Sequence, residues 1–340
     1  MRLRHLGARK LKLTEADRIC LPVPMYHCFG CVIGTMAMVN TGAALIMPAP
    51  QFDPLATLSA MAAERATIIY GVPAMFIAEL EHPEFSKFDL TSLRGGIMAG
   101  APCPIEVMRR VIDQMHCGGM LVAYGQTESS PIITMSNIDD AIELRVSTIG
   151  AAMPETEVKI VSPASDETLP VGEQGELCTR GYLVMQGYDD EPAATRAVID
   201  ADNWLHTGDL AVMRPDGYFR ITGRAKDMVI RGGENIYPRE IEEFLYTHPQ
   251  IAEVQVVGLP DANLGEILCA WIRLKAGQKV TEDEVRQFCR DKIAHFKIPH
   301  HVRFVDSFPT TVTGKVQKFK IRELEIERLG LARAAKIETA

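Results

Sequence analysis

The sequence predicts an α/β protein in two parts. A large domain of parallel α/β layers carries a small antiparallel β-barrel subdomain, and a small α+β domain follows. Three observations point there. Short apolar runs of strand length alternate with helix-like stretches through residues 18–144, the pattern of a parallel sheet. Residues 145–222 are crowded with turn signals between short strands, the pattern of an antiparallel sheet or small barrel. A mixed order of helix and strand returns from about residue 228. The expected domains are therefore 1–227, divided at 144/145, and 228–340, joined by a short hinge rather than a linker. At about 150 residues per domain, a length of 340 residues allows roughly two.

The elements follow in chain order. Residues 19–23 (ICLPV), 43–47 (AALIM) and 66–70 (ATIIY) read as strands, with a helix-like stretch Pro54–Arg65 between the last two. A strand Leu93–Ala99, a helix near Pro104–Gln114 and a strand Met120–Tyr124 continue the alternation. Glu157–Val161, Gly175–Thr179 and Gly217–Thr222 are short strands separated by Met-Pro, Ser-Pro, Pro-Val-Gly and Pro-Asp-Gly turns. Pro238 opens a helix over 239–247, with acids in its first turn. Strands at 253–258 and 267–274 precede a helix at 281–293, whose Thr281-Glu-Asp-Glu284 start is a capping box. A strand at 302–306, a loop Pro309–Gly314 and a terminal helix complete the chain.

Composition excludes several classes. Hydrophobic residues make up 47% and charged residues 24%, too apolar for intrinsic disorder. The formal charge is −8, from 36 basic and 44 acidic side chains, which gives no general nucleic-acid signal. The opening MRLRHLGARKLK is the exception, with five Arg and Lys and no acid. It lacks the apolar core of a secretory signal. No apolar run reaches the roughly 18 residues of a membrane-spanning helix. The eight Cys are scattered rather than framed, which favours a reducing, cytoplasmic compartment. Cys28-x-x-Cys31 has no second pair and lies in an apolar stretch, so both thiols are expected in the core. The nine His include no pair spaced for zinc, and His300 and His301 are expected to point apart. Neither G-x-S-x-G nor H-E-x-x-H occurs.

Five clusters hold chemistry-bearing residues. Tyr124-Gly-Gln-Thr-Glu128 follows a strand, where α/β sheets bind ligands; Thr127 offers a donor to phosphate and Glu128 a carboxylate for Mg²⁺, though a capped helix start explains the word equally well. Gly95-Gly-Ile-Met-Ala-Gly-Ala-Pro102 is a Gly-rich strand-to-turn segment that lets backbone approach a flat ring, or a plain tight turn. In Trp204-Leu-His-Thr-Gly-Asp209 the carboxylate suits ribose hydroxyls, or an Asx turn. Gly223–Pro238 places charges around a short strand and a Gly pair, as a surface hairpin also would. Pro309-Thr-Thr-Val-Thr-Gly-Lys315 ends like a P-loop but fails its pattern at residues 309 and 316.

Taken together, in this order and spacing, the words resemble the adenylate-forming superfamily of acyl-CoA synthetases, peptide-synthetase adenylation domains and luciferases. Pro24-Met-Tyr-His-Cys-Phe-Gly30, Tyr124–Glu128, Gly175–Gly181 through Tyr188, Thr207–Asp209, Gly223–Glu240 and Gly314-Lys315 carry the resemblance. It covers about residues 18–325, and HCFG, RGGENIYP, HFKIP and GKVQKFK are most similar to the medium-chain fatty acyl-CoA synthetases of the family-member-2 type. The resemblance implies ATP-dependent activation of a carboxylic acid to acyl-adenylate, then transfer to coenzyme A. By it, Thr127 contacts phosphate, Glu128 binds Mg²⁺ and Lys315 bridges the carboxylate and the α-phosphate. Tyr124 and Gly125 flank the adenine with Gly100, Ala101 and Pro102. Asp209 holds the ribose and Arg224 reaches the nucleotide. Asp227 is the hinge, and Gly232 and Gly233 line the pantetheine path. His27 borders the acyl pocket, with Ile97 and Val122 as walls that core packing explains equally well.

The superfamily's Ser/Thr/Gly-rich phosphate loop ending in Pro-Lys, which lies upstream of the aromatic/His word, has no counterpart before Pro24. On that basis the chain reads as the C-terminal portion of a synthetase, and adenylate formation by it is expected to be slow, since one oriented donor is worth about 10²–10³ in rate. An aryl-CoA ligase, an adenylation domain serving a carrier protein, and a non-catalytic nucleotide- or CoA-binding fragment are the alternative readings.

Overall fold

A computed structural model describes residues 7–311 and 314–331. The chain divides into two compact units between Ile221 and Thr222.

The first unit is built on a seven-stranded sheet. Its strands are β1 (Arg18–Cys20), β2 (Ala44–Ile46), β3 (Ile68–Gly71), β4 (Gly95–Met98), β5 (Gly119–Tyr124), β6 (Thr134–Met135) and β7 (Ala151–Ala152), in the order β2-β1-β3-β4-β5-β6-β7. The first five are parallel; β6 runs antiparallel to β5, and β7, antiparallel to β6, returns to the direction of the first five. β3 and β4 are buried along their length, as parallel strands covered on both faces must be. The helix Pro54–Ala63 begins where Asp53 accepts the Ala56 amide at 2.7 Å and Pro54 presets the first turn.

The Cys28–Met38 stretch folds as a π-helical turn, Phe29–Thr35, running into the helix Met36–Thr41. That turn buries Phe29, Gly30, Ile33 and Gly34 and leaves Cys31 exposed and Cys28 half-buried. The expected pair of core thiols is therefore corrected. The basic opening packs from Gly7 onward: Leu11 is fully buried, and the Arg94 guanidinium donates to the Leu11 carbonyl at 3.0 Å while clamping the buried Asp17 carboxylate.

Helix Pro73–Leu80 carries an anomaly. Glu79 is buried in the core, and neither of its carboxylate oxygens has a hydrogen-bond partner among the described residues. Burial pushes its carboxyl up to about 8 from the usual 4.5. Because the folded state holds this proton more tightly, the cost of Glu79 grows as pH rises from about 4.5 to about 8 and is constant above. Unfolding measured across that window is expected to show stability falling by on the order of 1.4 kcal/mol per pH unit from this group. Glu79→Gln should remove that slope; an unchanged slope would assign it to other groups.

The β-rich stretch forms β8 (Thr156–Val161), β9 (Gln174–Gly181), β10 (Leu205–Met213) and β11 (Phe219–Arg224) in the antiparallel order β11-β10-β9-β8. Of the antiparallel sheet or small barrel expected, the described residues show a four-stranded antiparallel sheet, whose β11 end meets the first sheet through the Ala151–Tyr218 bridge and the Phe219 amide donating to the Gly150 carbonyl at 3.0 Å.

The second unit has β12 (Val229–Arg231), β13 (Glu234–Ile236), β14 (Ile251–Asp261), β15 (Gly265–Leu274) and β16 (His301–Phe304), ordered β13-β12-β15-β14 with β16 beside β15. Helices Pro238–Tyr246 and Glu282–Cys289 share one apolar cluster with this sheet, including Ile241, Leu245, Val254, Leu268 and Val285. Ile321 of helix Lys318–Arg328 joins a second cluster with Val257, Leu259 and Trp271. The capping box forms: the Glu284 amide donates to Thr281 Oγ1 at 3.2 Å, and the Thr281 amide donates to Glu284 Oε2 at 2.8 Å. That helix stops at Cys289 rather than 293, because Arg290 turns extended at ψ 139° and Asp291 follows in the left-handed region at φ 61°. His300 and His301 straddle the start of β16, and their rings meet edge to face at 4.9 Å instead of pointing apart.

Candidate nucleotide site

Three loops leave the carboxyl ends of parallel strands and bring most first-unit candidates together, where open α/β sheets place ligands. The loop after β1 supplies His27 and Cys28. The loop after β4 supplies Gly100, Ala101 and Pro102; Gly100 has φ 82° and is exposed, Ala101 is half-buried and Pro102 exposed. The turn after β5 supplies Tyr124 to Glu128, with Thr127 exposed and Glu128 half-buried.

This last turn is tightly held. The Gln126 amide donates to Ser129 Oγ at 3.0 Å, the Ser129 amide returns to the Gln126 carbonyl at 2.8 Å, and the Ile133 amide donates to the Tyr124 carbonyl at 2.8 Å. Gly125 is required there, since a Cβ would sit 2.1 Å from the Pro131 carbonyl oxygen. Gly125→Ala is expected to lower stability by about 1–3 kcal/mol, the range for forced overpacking. Thermal unfolding of the variant would check this, and an unchanged midpoint would refute it.

Side chains converge on the turn from both sheets. Tyr124 Oη donates to Asp209 Oδ2 at 2.8 Å. Asp209 is 93% buried by its 7% exposure on β10, and its amide donates to Thr207 Oγ1 at 3.2 Å. Thr207 Oγ1 donates in turn to the Leu177 carbonyl at 2.7 Å. Tyr188 Oη donates to Glu128 Oε1 at 2.8 Å, and the Met185 amide holds the Glu128 carbonyl at 2.8 Å. The Glu128 hydrogen bond, followed by partial burial, raises the Tyr188 phenol above its ordinary range. Cys28 Sγ lies 3.6 Å from Thr127 Oγ1 and 3.8 Å from His27 Nδ1, which also accepts the Phe29 amide at 3.1 Å.

The sequence alone gives Tyr188 and Cys28 no role. Tyr188 follows Gly187 in a motif word, and that adjacency to a family signature was the available signal. Ile97 and Val122 lie inside β4 and β5 with 0% and 3% exposure, embedded in the sheet core. One carboxylate, Glu128, beside one hydroxyl, Thr127, fits Mg²⁺, which takes few protein carboxylates and completes its shell with phosphate and water.

The remaining candidates belong to the second unit. Arg224 ends β11, and Asp227 closes the single 3-10 turn Ala225–Asp227. Gly232 and Gly233, at φ 59° and 89°, form the two-residue loop between β12 and β13, where both positions need positive φ. Lys315 is exposed on a turn in which the Thr311 amide donates to the Lys315 carbonyl at 2.8 Å and the Lys315 amide to Thr311 Oγ1 at 3.1 Å.

A parallel sheet with an acid–phenol pair and a Thr-Glu turn at its carboxyl rim is the arrangement in which open α/β proteins place ligands. The AMP-binding enzyme family matches residues 3–189 and the AMP-binding enzyme C-terminal domain matches residues 240–315; the chain belongs to the AMP-binding enzyme family. It is 56% identical over 325 residues to the Bacillus subtilis (strain 168) protein YngI, covering 96% of this chain and 59% of that protein. It is 47% identical over 320 residues to the Bos taurus mitochondrial medium-chain acyl-CoA ligase ACSF2, covering 94% of this chain and 52% of the relative. The ATP-bound crystal structure of MatB from Rhodopseudomonas palustris superposes with a TM-score of 0.85 at 30% identity, covering 95% of this chain and 63% of that one. The chain thus spans between half and three-fifths of the length of these curated relatives. No helix among the described residues is long and apolar enough to cross a membrane.

Proposed function

We propose that the chain carries residues of an AMP-forming acyl-CoA synthetase, an acid–thiol ligase whose acid is a fatty acid of medium chain length, with adenylate formation slow in the given chain because the phosphate loop has no counterpart in it. The observation that carries this reading is the Tyr124–Asp209 pair set beside Thr127 and Glu128 at the carboxyl rim of the parallel sheet. The identity to a medium-chain acyl-CoA ligase supports the choice of acid.

In the first step the acid's carboxylate oxygen attacks the α-phosphorus of ATP, and the bond to pyrophosphate breaks. In the second, the thiol of coenzyme A loses its proton, its sulfur attacks the acyl carbon, and AMP departs with the anhydride electrons. Asp209 accepts from the ribose hydroxyls. Tyr124, oriented by its hydrogen bond to Asp209, offers its ring to the adenine beside the Gly100–Pro102 turn. Thr127 donates to a phosphate oxygen, and Arg224 supplies positive charge to the nucleotide. Mg²⁺ held by Glu128 would neutralise phosphate charge. Lys315 bridges the two anionic groups as they approach. Asp227 serves as the hinge between the half-reactions, and Gly232 and Gly233 leave room for pantetheine. His27 borders the acyl group. The eight free cysteines favour a reducing compartment, which we assign to the cytoplasm.

The test presents straight-chain alkyl acids and benzoate, in turn, with ATP, Mg²⁺ and coenzyme A, and quantifies acyl-CoA and AMP. Medium-chain acids leading the panel support the reading, and benzoate leading it favours an aryl-CoA ligase. Supplying synthetic acyl-adenylate with coenzyme A reads the thioester step alone. Firm AMP binding with neither half-reaction would favour a non-catalytic binding role.

A further inference from the structure

The outer face of the four-stranded sheet carries a group of side chains that acyl activation does not use. Cys178 on β9 and His206 on β10 are cross-strand partners in the ladder. Glu176 lies two residues before Cys178, so strand alternation puts it on the same face. His206 Nδ1 is 3.0 Å from Glu176 Oε2 and 3.4 Å from Cys178 Sγ, and one donor atom from each of the three lies within 4.8 Å of the others. We propose that Glu176, Cys178 and His206 bind a thiophilic divalent cation, with Zn²⁺ the best match to the donor set.

The geometry is the first argument. Tetrahedral zinc with bonds of about 2.0 Å to nitrogen and oxygen and about 2.3 Å to sulfur places its ligand atoms about 3.3–3.5 Å apart. The measured separations of 3.0 and 3.4 Å need only small adjustments to reach this. The second argument is rigidity. All three ligands stand on paired strands rather than on a loop, and Cys178 is fully buried. The third is the outer support that metal-binding His and carboxylate groups use. Glu176 Oε1 already accepts the Gly208 amide at 2.8 Å, while Asp200 Oδ2, 3.8 Å from His206 Nε2 on the ring edge opposite the proposed cation, must move closer to accept from it.

Charge also balances. A thiolate, a carboxylate and a neutral imidazole sum to minus two against the cation's plus two. Binding therefore forms the sulfur–metal bond by displacing the thiol proton to solvent. The cation would pin β9 to β10 where the ladder shifts register between His206 and Leu210.

The test uses the purified 340-residue chain, stripped with a chelator and titrated with Co²⁺. One equivalent is expected to produce a near-ultraviolet thiolate-to-cobalt charge-transfer band, which Zn²⁺ then abolishes by displacement. Cys178→Ser should eliminate the band, and His206→Gln should weaken Zn²⁺ by more than the roughly 10–100-fold that loss of an outer hydrogen-bond partner costs. Cys31→Ser, which alters an exposed thiol elsewhere, should leave the band intact. Absence of the band in the unaltered chain would overturn the proposal without reference to any variant. So would a band that survives in Cys178→Ser.

Discussion

Lys315→Ala is expected to cut acid-dependent exchange of pyrophosphate into ATP by about 10²–10³-fold, the size of effect seen when one preorganised group at a developing charge is lost. Thioester formation from supplied acyl-adenylate should change by less than about tenfold, since in the proposed mechanism Lys315 acts only on the first step. The asymmetry follows from charge. A carboxylate approaching a phosphate pushes two anions together, and a cation between them is worth most at the point of closest approach. The thiol attack brings no comparable crowding. The local backbone suits this role: the paired hydrogen bonds between Thr311 and Lys315, with the bridge Thr310–Val316, hold the Lys315 backbone in place. Lys315→Arg is expected to rescue poorly, because a planar fork does not replace a compact ammonium. Equal loss in both half-reactions would sink the assigned role.

The parallel strands of the first unit were legible because burial on both faces leaves nearly unbroken apolar runs such as ATIIY and MLVAY. The Tyr124–Glu128 turn was legible for a similar reason: its Gly is forced by the Pro131 carbonyl, so the word is constrained at the backbone. What the sequence hid has physical causes too. β10 is not among the strands expected from the sequence, because Gly208 at φ 72° and a register shift break its alternation. That irregularity is what turns Asp209 toward Tyr124. The outward turn of Cys31 depends on a π-helical geometry that apolar periodicity does not encode. Glu79 is invisible to pattern reading altogether, since a single acid in an apolar helix is ordinarily an exposed one. The Glu176–Cys178–His206 group comes together only through the β9–β10 ladder, with His206 28 residues from Cys178 in sequence.

Asp209→Asn is expected to weaken AMP by about 10–150-fold, from the 1.5–3 kcal/mol that a hydrogen bond to a charged group contributes. The buried setting makes the loss large. Asp209 already receives the Tyr124 hydroxyl at 2.8 Å, and its backbone is fixed through Thr207 to the Leu177 carbonyl. The side chain therefore cannot swing to recover a lost contact. Asn keeps the shape but presents one acceptor and an NH₂ group that neither the tyrosine nor a ribose hydroxyl needs. Tyr124→Phe should cost less, about 0.5–1.5 kcal/mol, because the ring remains and only a neutral donor is lost. If the two act as one unit, the double variant will lose less than the sum of the single losses. The decisive comparison is with 2′-deoxy-AMP. The unaltered chain should prefer AMP over it, and Asp209→Asn should nearly erase that preference while leaving the thermal midpoint close to its original value. A variant that loses affinity equally for both nucleotides would move Asp209 from ribose recognition to support of the Tyr124 ring. The discrimination ratio, not the affinity alone, thus assigns the carboxylate its partner.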